Sequence, residues 1–112
     1  MTGGDSQPGR LSAADARKVV REIAAVDDRI VFLPHALKRL IERDVKVADV
    51  RFVIRTGAVV APPYRDEFGN WRIEMQGMAG GDLLSVVVAI EWRSGLLVIT
   101  VYADEQRRSR RR

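Results

Sequence analysis

The 112-residue chain carries a single histidine, His35, followed by Arg39 and Arg43 at steps of four. Residues at i, i+4 and i+8 of an α-helix share one row, so these side chains set a titratable group beside two cations. Histidine changes charge near neutral pH, which suits it to acid–base work. Arginine can hold phosphate oxygens through two parallel N–H donors. Metal-independent RNA cleavage needs these parts: a base for the 2′-OH proton, cations for the developing phosphorane charge, and an acid for the leaving oxygen. Tyr102, with Thr100 facing the same way on a strand-like segment, can donate a proton or stack on a base. Arg72 falls on the polar face of a neighbouring strand, and Arg65 in the loop before it. The sequence thus nominates His35, Arg39 and Tyr102 for catalysis, and Arg43, Arg72, Arg65 and Thr100 for substrate binding.

Each of these residues also has an ordinary structural role open to it. His35 stands near a helix start, where it can cap or bond to a loop. Arg39 and Arg43 can pair with acids such as Glu42, Asp49 or Glu74, at little gain in energy on a surface. Tyr102 fits the edge of a core, and Arg72 with Glu74 fits a solvated sheet face. One histidine and no cysteine argue against a zinc site, and Asp27-Asp28 and Asp66-Glu67 suit turn and cap chemistry, so neither metal nor cofactor is expected. Gly80-Gly81 suits a hairpin turn and lacks the pattern of a phosphate-binding loop.

The elements that must position these side chains change period along the chain. Ser12 with Asp15 resembles a helix cap, and Leu11, Val19, Val20 and Ile23 give one apolar stripe up to about Ala25. Arg29 to Leu33 is short and β-prone. Pro34 suits a first helical position, and Leu37, Leu40 and Ile41 are the expected buried face of the helix that follows. A third helix, about Val47 to Thr56, should bury Val47, Val50, Val53 and Ile54, with Gly57 in the left-handed position beyond its end. After Gly57 the period falls to two. Ala58 to Tyr64 carries Pro62-Pro63 and is confined to an edge. Asp66 to Asn70 is a turn cluster. Trp71 to Ala79, Leu83 to Trp92 and Leu96 to Ala103 are strands, joined by turns at Gly80-Gly81-Asp82 and Ser94-Gly95. Trp71 and Trp92 should be core. The expected fold is α+β: two or three helices, then an antiparallel meander against which they pack.

The charge is unevenly spread. The chain is +4 with a pI near 10.1, yet residues 107–112 hold five arginines, which leaves residues 1–106 at −1. The expected organisation is a disordered segment over residues 1–10, one domain over 11–104, and a basic, disordered tail over 105–112. Such a tail attracts nucleic-acid phosphates without sequence preference, or merely adds solubility. With 46% hydrophobic and 30% charged residues the composition is that of a globular protein. No apolar run approaches a bilayer span, Met1 to Arg10 lacks the apolar stretch of a signal peptide, and there is no cysteine, so a cytoplasmic location is expected.

The stretch from Phe32-Leu33-Pro34-His35-Ala36 through Arg39, Arg43, Asp44-Val45, Asp49-Val50, Ile54 and Gly57 resembles the DUF4258 family. So do Leu84-Ser85-Val86-Val87-Val88 and the closing Val98-Ile99-Thr100-Val101-Tyr102. The likeness spans about Val31 to Tyr102. Asp44 departs from it where the family often has Gly, and Lys46 where a Ser or Thr cap is common; Asp tolerates the left-handed conformation, so the fold survives. The family looks similar to RelE/ParE-like toxins, which implies a curved antiparallel sheet of RelE-like form, RNA or ribosome-bound mRNA as target, and a cognate antitoxin as partner.

Three functions remain open at this point. They are an endoribonuclease toxin acting on mRNA, a non-catalytic protein of the same fold that grips a protein target, and a simple nucleic-acid-binding module. The His-Arg-Arg row favours the first, the nearly neutral body the second, and the basic tail the third.

Overall fold

Ser12 caps the first helix of the structure, a computed structural model that describes residues 7–92 and 95–103. The Ser12 hydroxyl accepts the Asp15 N–H at 3.1 Å, as the spacing predicts, and opens α1 (Ala13–Ala24). Ala16, Val20, Ile23 and Ala24 form its buried stripe, with Leu11 and Val19 half-buried against it. A 3₁₀ turn, Asp27–Arg29, leads into β1 (Ile30–Phe32).

Pro34 then opens α2 (Pro34–Arg43) at its first position. Asp44 ends it in the left-handed region, at φ 54° and ψ 47°. There the Val45 N–H donates to Leu40 O at 2.9 Å and the Asp44 N–H to Ile41 O at 3.3 Å, the pair of bonds of a Schellman cap. The buried face of α2 differs from expectation. Ala36 and Leu40 are buried, whereas Leu37 is 42% exposed and Ile41 83% exposed. The helix lies chiefly against one strand at the sheet margin, so it buries only a narrow i, i+4 strip, and Ala36 lets the backbones approach.

In α3 (Val47–Thr56), Val50, Val53 and Ile54 are buried and Val47 is half-buried. Gly57 is not left-handed as expected but extended, at φ −74° and ψ 175°. Its glycine answers a steric demand instead. A Cβ there would stand 2.6 Å from Val53 O and 2.7 Å from Gln76 O.

The sheet contains β1, β2 (Ala58–Val59), β3 (Tyr64–Arg65), β4 (Trp71–Ala79), β5 (Asp82–Glu91) and β6 (Gly95–Ala103). Its order is β1-β6-β5-β4-β2, with β3 also on β4. The β4–β5–β6 meander is antiparallel, as the alternation predicts. The sheet as a whole is mixed, because β1 runs parallel to β6, Ile30 opposite Leu96 and Phe32 opposite Val98. The expected all-antiparallel sheet is corrected there: the free margin of β6 takes a three-residue strand whose short sequence carries no sign of its partner. Pro62-Pro63 separates β2 from β3, both held to the β4 edge. Gly80 and Gly81 have φ of 59° and 83°, the two positive values a two-residue type I′ hairpin needs. The other turn expected, Ser94-Gly95, falls partly outside the described residues; Gly95 opens β6.

All three helices contribute to one core with Ile73, Met75, Val86, Val88, Ile90, Val98 and Val101 from one face of the sheet. Trp71 is buried, and Trp92 is half-buried at the margin of the core. The opposite face carries Arg72, Glu74 and Gln76 on β4, facing Ala89, Val87 and Ser85 on β5. On β6, Val87 pairs with Thr100 but Val88 with Val98, which leaves Ile99 as a β-bulge. The extra residue shifts the alternation, so Leu97 and Tyr102, an odd number apart, share this second face. Among the described residues no helix is long and apolar enough to cross a membrane. Of the expected disordered segment, residues 1–6 lie outside the described residues, while the Gln7 Nε2–H donates to Gly69 O at 2.8 Å. The basic tail, 105–112, also lies outside them.

Candidate functional site

Asp66 organises the loop before β4. Its Oδ1 accepts the N–H of Phe68 at 2.9 Å and of Asn70 at 3.0 Å, a turn closed by its own side chain. The Asp66 N–H donates to Asn70 O, and Gly69, at φ 82°, supplies the left-handed residue the reversal needs. The remaining oxygen, Oδ2, accepts from Arg72 Nε at 3.0 Å. The Asp66 side chain is 7% exposed and that of Arg72 26%. Burial pushes the Asp66 carboxyl up, but the Asn70 N–H, the Arg72 guanidinium and the Phe68 N–H together hold it below the ordinary carboxylate value. Burial likewise works against the Arg72 charge, and Asp66 and Tyr64 outweigh it, holding Arg72 cationic.

This pair closes one side of a cleft of about 420 Å³ on the second face of the sheet. His35, in the first turn of α2, stands on the other side. Ala89, Leu97 and Ile99 give the cleft an aliphatic lining, and Asn70 and Phe68 also line it. The β-bulge turns Ile99 into this space along with Leu97. Chemically, the cleft offers a fixed cation, an imidazole and an apolar surface of the kind a nucleobase or another flat ring rests on.

The nominated residues are therefore divided among several places. His35 and Arg72 line the same cleft from opposite sides. Arg43 and Tyr102 meet at the other end of α2, the guanidinium carbon 6.0 Å from the ring centroid. Arg39 lies between them on the helix and pairs with Glu42 at 2.8 Å, the structural role foreseen for it. Thr100 is on the second face, opposite Val87. Arg65 is not with them. It pairs with Trp71 across the strands, stands 5.1 Å from that ring, and donates to Pro8 O at 2.7 Å, as the Trp71 indole N–H also does at 3.1 Å. These contacts give Arg65 the work of fastening Pro8 over the core edge.

The sequence marks Asp66, Phe68 and Asn70 as turn residues only. An aspartate four residues before an asparagine, and six before an arginine on the following strand, is the signal that joins them to Arg72.

The architecture is thus an α+β domain with a polar-sided cleft on the sheet face away from its core. The chain belongs to the DUF4258 family, described as a domain of unknown function, whose model matches residues 32–103. Comparison with curated proteins and comparison with solved structures each gave no match.

Proposed function

We propose that this chain is a RelE-like toxin of a toxin–antitoxin pair, a cytoplasmic endoribonuclease that cuts mRNA by a metal-independent route. The observation that supports this most is one cleft lined by both His35 and Arg72, an arginine held in place by a buried carboxylate. His35 takes the 2′-OH proton, and the 2′ oxygen attacks the adjacent phosphorus. Arg72 hydrogen-bonds the non-bridging oxygens as their charge grows. The bond from phosphorus to the 5′ oxygen breaks, water entering the open cleft protonates that oxygen, and the hydroxide left takes the proton back from His35. The products are a 2′,3′-cyclic phosphate and a 5′-OH. Asp66 is not the base, because its oxygens are engaged and its carboxyl is held in the charged, weakly basic form.

Analysis of the product ends of RNA incubated with the purified protein tests this reading. Cyclic phosphate ends are expected; a 3′-OH with a 5′-phosphate would contradict it. A small adjacent reading frame encoding a DNA-binding protein that blocks growth inhibition is the expected sign of the antitoxin.

One observation favours a second reading, a non-catalytic member that grips a protein. Leu37 and Ile41 are exposed beside Val45 and Val47 around a depression of about 510 Å³, and exposed apolar patches mark interaction sites. Growth inhibition undiminished by loss of His35 would select it.

A further inference from the structure

Strand register places Tyr102 on the same sheet face as the cleft. Arg72 faces Ala89 and Gln76 faces Ser85 across β4 and β5, and Ser85 faces Tyr102 across β5 and β6. Tyr102 is 48% exposed, unlike its buried neighbour Val101. Arg43 stands over it at the limit of a cation–π contact. Beside it, Gln76 Nε2 donates to Ser85 Oγ at 2.9 Å, which makes a polar row across β4 and β5 leading to the ring.

The margin of this face is α2, whose His35–Arg39–Arg43 row runs from the cleft to Tyr102. Two steps of four residues cover about 12 Å at the helical rise of about 1.5 Å. That is about three to four stacked nucleotides at about 3.4 Å each. An exposed aromatic ring beside a cation, one such span along α2 from His35, matches how proteins bind a single strand: bases on rings, backbone along cations. A paired duplex keeps its bases stacked inside and offers none to the ring.

We infer that Tyr102 and Arg43 form a second nucleotide subsite, which stacks an unpaired base about three nucleotides from the one in the His35–Arg72 cleft. The inference rests on the RNA reading of that cleft. It makes the substrate single-stranded RNA of at least four nucleotides, and gives Tyr102 a binding role separate from the reacting bond.

The test is equilibrium binding of 2′-O-methyl oligoribonucleotides, which lack the attacking hydroxyl, at lengths of two and six nucleotides. Wild-type protein should bind the hexamer more tightly than the dimer. Tyr102→Ala should weaken the hexamer about tenfold, the scale of one stacked base, and leave the dimer unchanged. Tyr102→Phe should keep hexamer binding, because the ring remains, and Arg43→Gln should weaken only the hexamer. A hexamer unaffected by Tyr102→Ala, or a dimer weakened equally, would overturn the subsite while leaving the cleft reading intact. Failure of either length to bind wild-type protein would overturn both.

Discussion

Asp66 holds Arg72 at 3.0 Å while its other oxygen closes the loop that Arg72 follows. One carboxylate therefore sets both the loop and the cation that shares a cleft with His35. Because folding holds this carboxyl below its ordinary value of 3.8, the deprotonated form favours the folded state. Its contribution is fully present above pH 3.8 and is lost as pH falls through the lower folded value. Asp66→Asn should cost about 2 kcal/mol at pH 7, the scale of hydrogen bonds to a charged partner. The gap from wild type should close as pH falls below 3.8, as read by urea unfolding at several pH values.

Gly57 marks where α3 touches β4. A Cβ at this position would stand closer to two backbone oxygens than van der Waals separation allows, and backbone cannot move aside as a side chain can. Gly57→Ala should cost about 1–3 kcal/mol, although alanine is at home in the extended conformation Gly57 adopts. Thermal unfolding of the variant checks it.

The two sides of α2 should respond oppositely. Leu40 is 4% exposed within the core, so Leu40→Ala should cost about 2–5 kcal/mol. Ile41 faces solvent, and Ile41→Ala should change stability by no more than about 0.5 kcal/mol. Denaturant midpoints of the two variants provide the comparison.

Much of the fold is written in local signals. Ser12 with Asp15 marks the start of α1, Gly80-Gly81 marks a hairpin, and the change of period after Gly57 separates helices from strands. What is not legible depends on partners far along the chain. Ile30 to Phe32 is too short to announce a parallel pairing with β6. Hydropathy marks Leu37, Leu40 and Ile41 as apolar, but only the placement of α2 at the sheet margin decides which is buried. At the site, His35 and Arg72 are legible as chemistry, not as parts of one cleft, and the bulge at Ile99 that shapes their cleft has no sequence sign.

The five arginines of residues 107–112 should act through phosphates alone. Removing them should weaken RNA binding at low salt and flatten its dependence on salt, by about 0.7 in the log–log slope for each phosphate no longer neutralised. Binding titrations at several salt concentrations measure that slope for the full and shortened chains.

The most direct test is the rate of RNA cleavage in excess EDTA for wild type, His35→Gln and Arg72→Ala. Glutamine keeps much of imidazole's size and hydrogen bonding but cannot exchange a proton near neutral pH. His35 is exposed, so the fold should be unchanged. Cyclic phosphate ends are predicted from wild type, with a rate at least about 100-fold lower in His35→Gln and a loss of similar size in Arg72→Ala. Full activity in His35→Gln, or wild-type protein that cleaves neither free RNA nor ribosome-bound mRNA, would contradict the assignment of this cleft as a ribonuclease site.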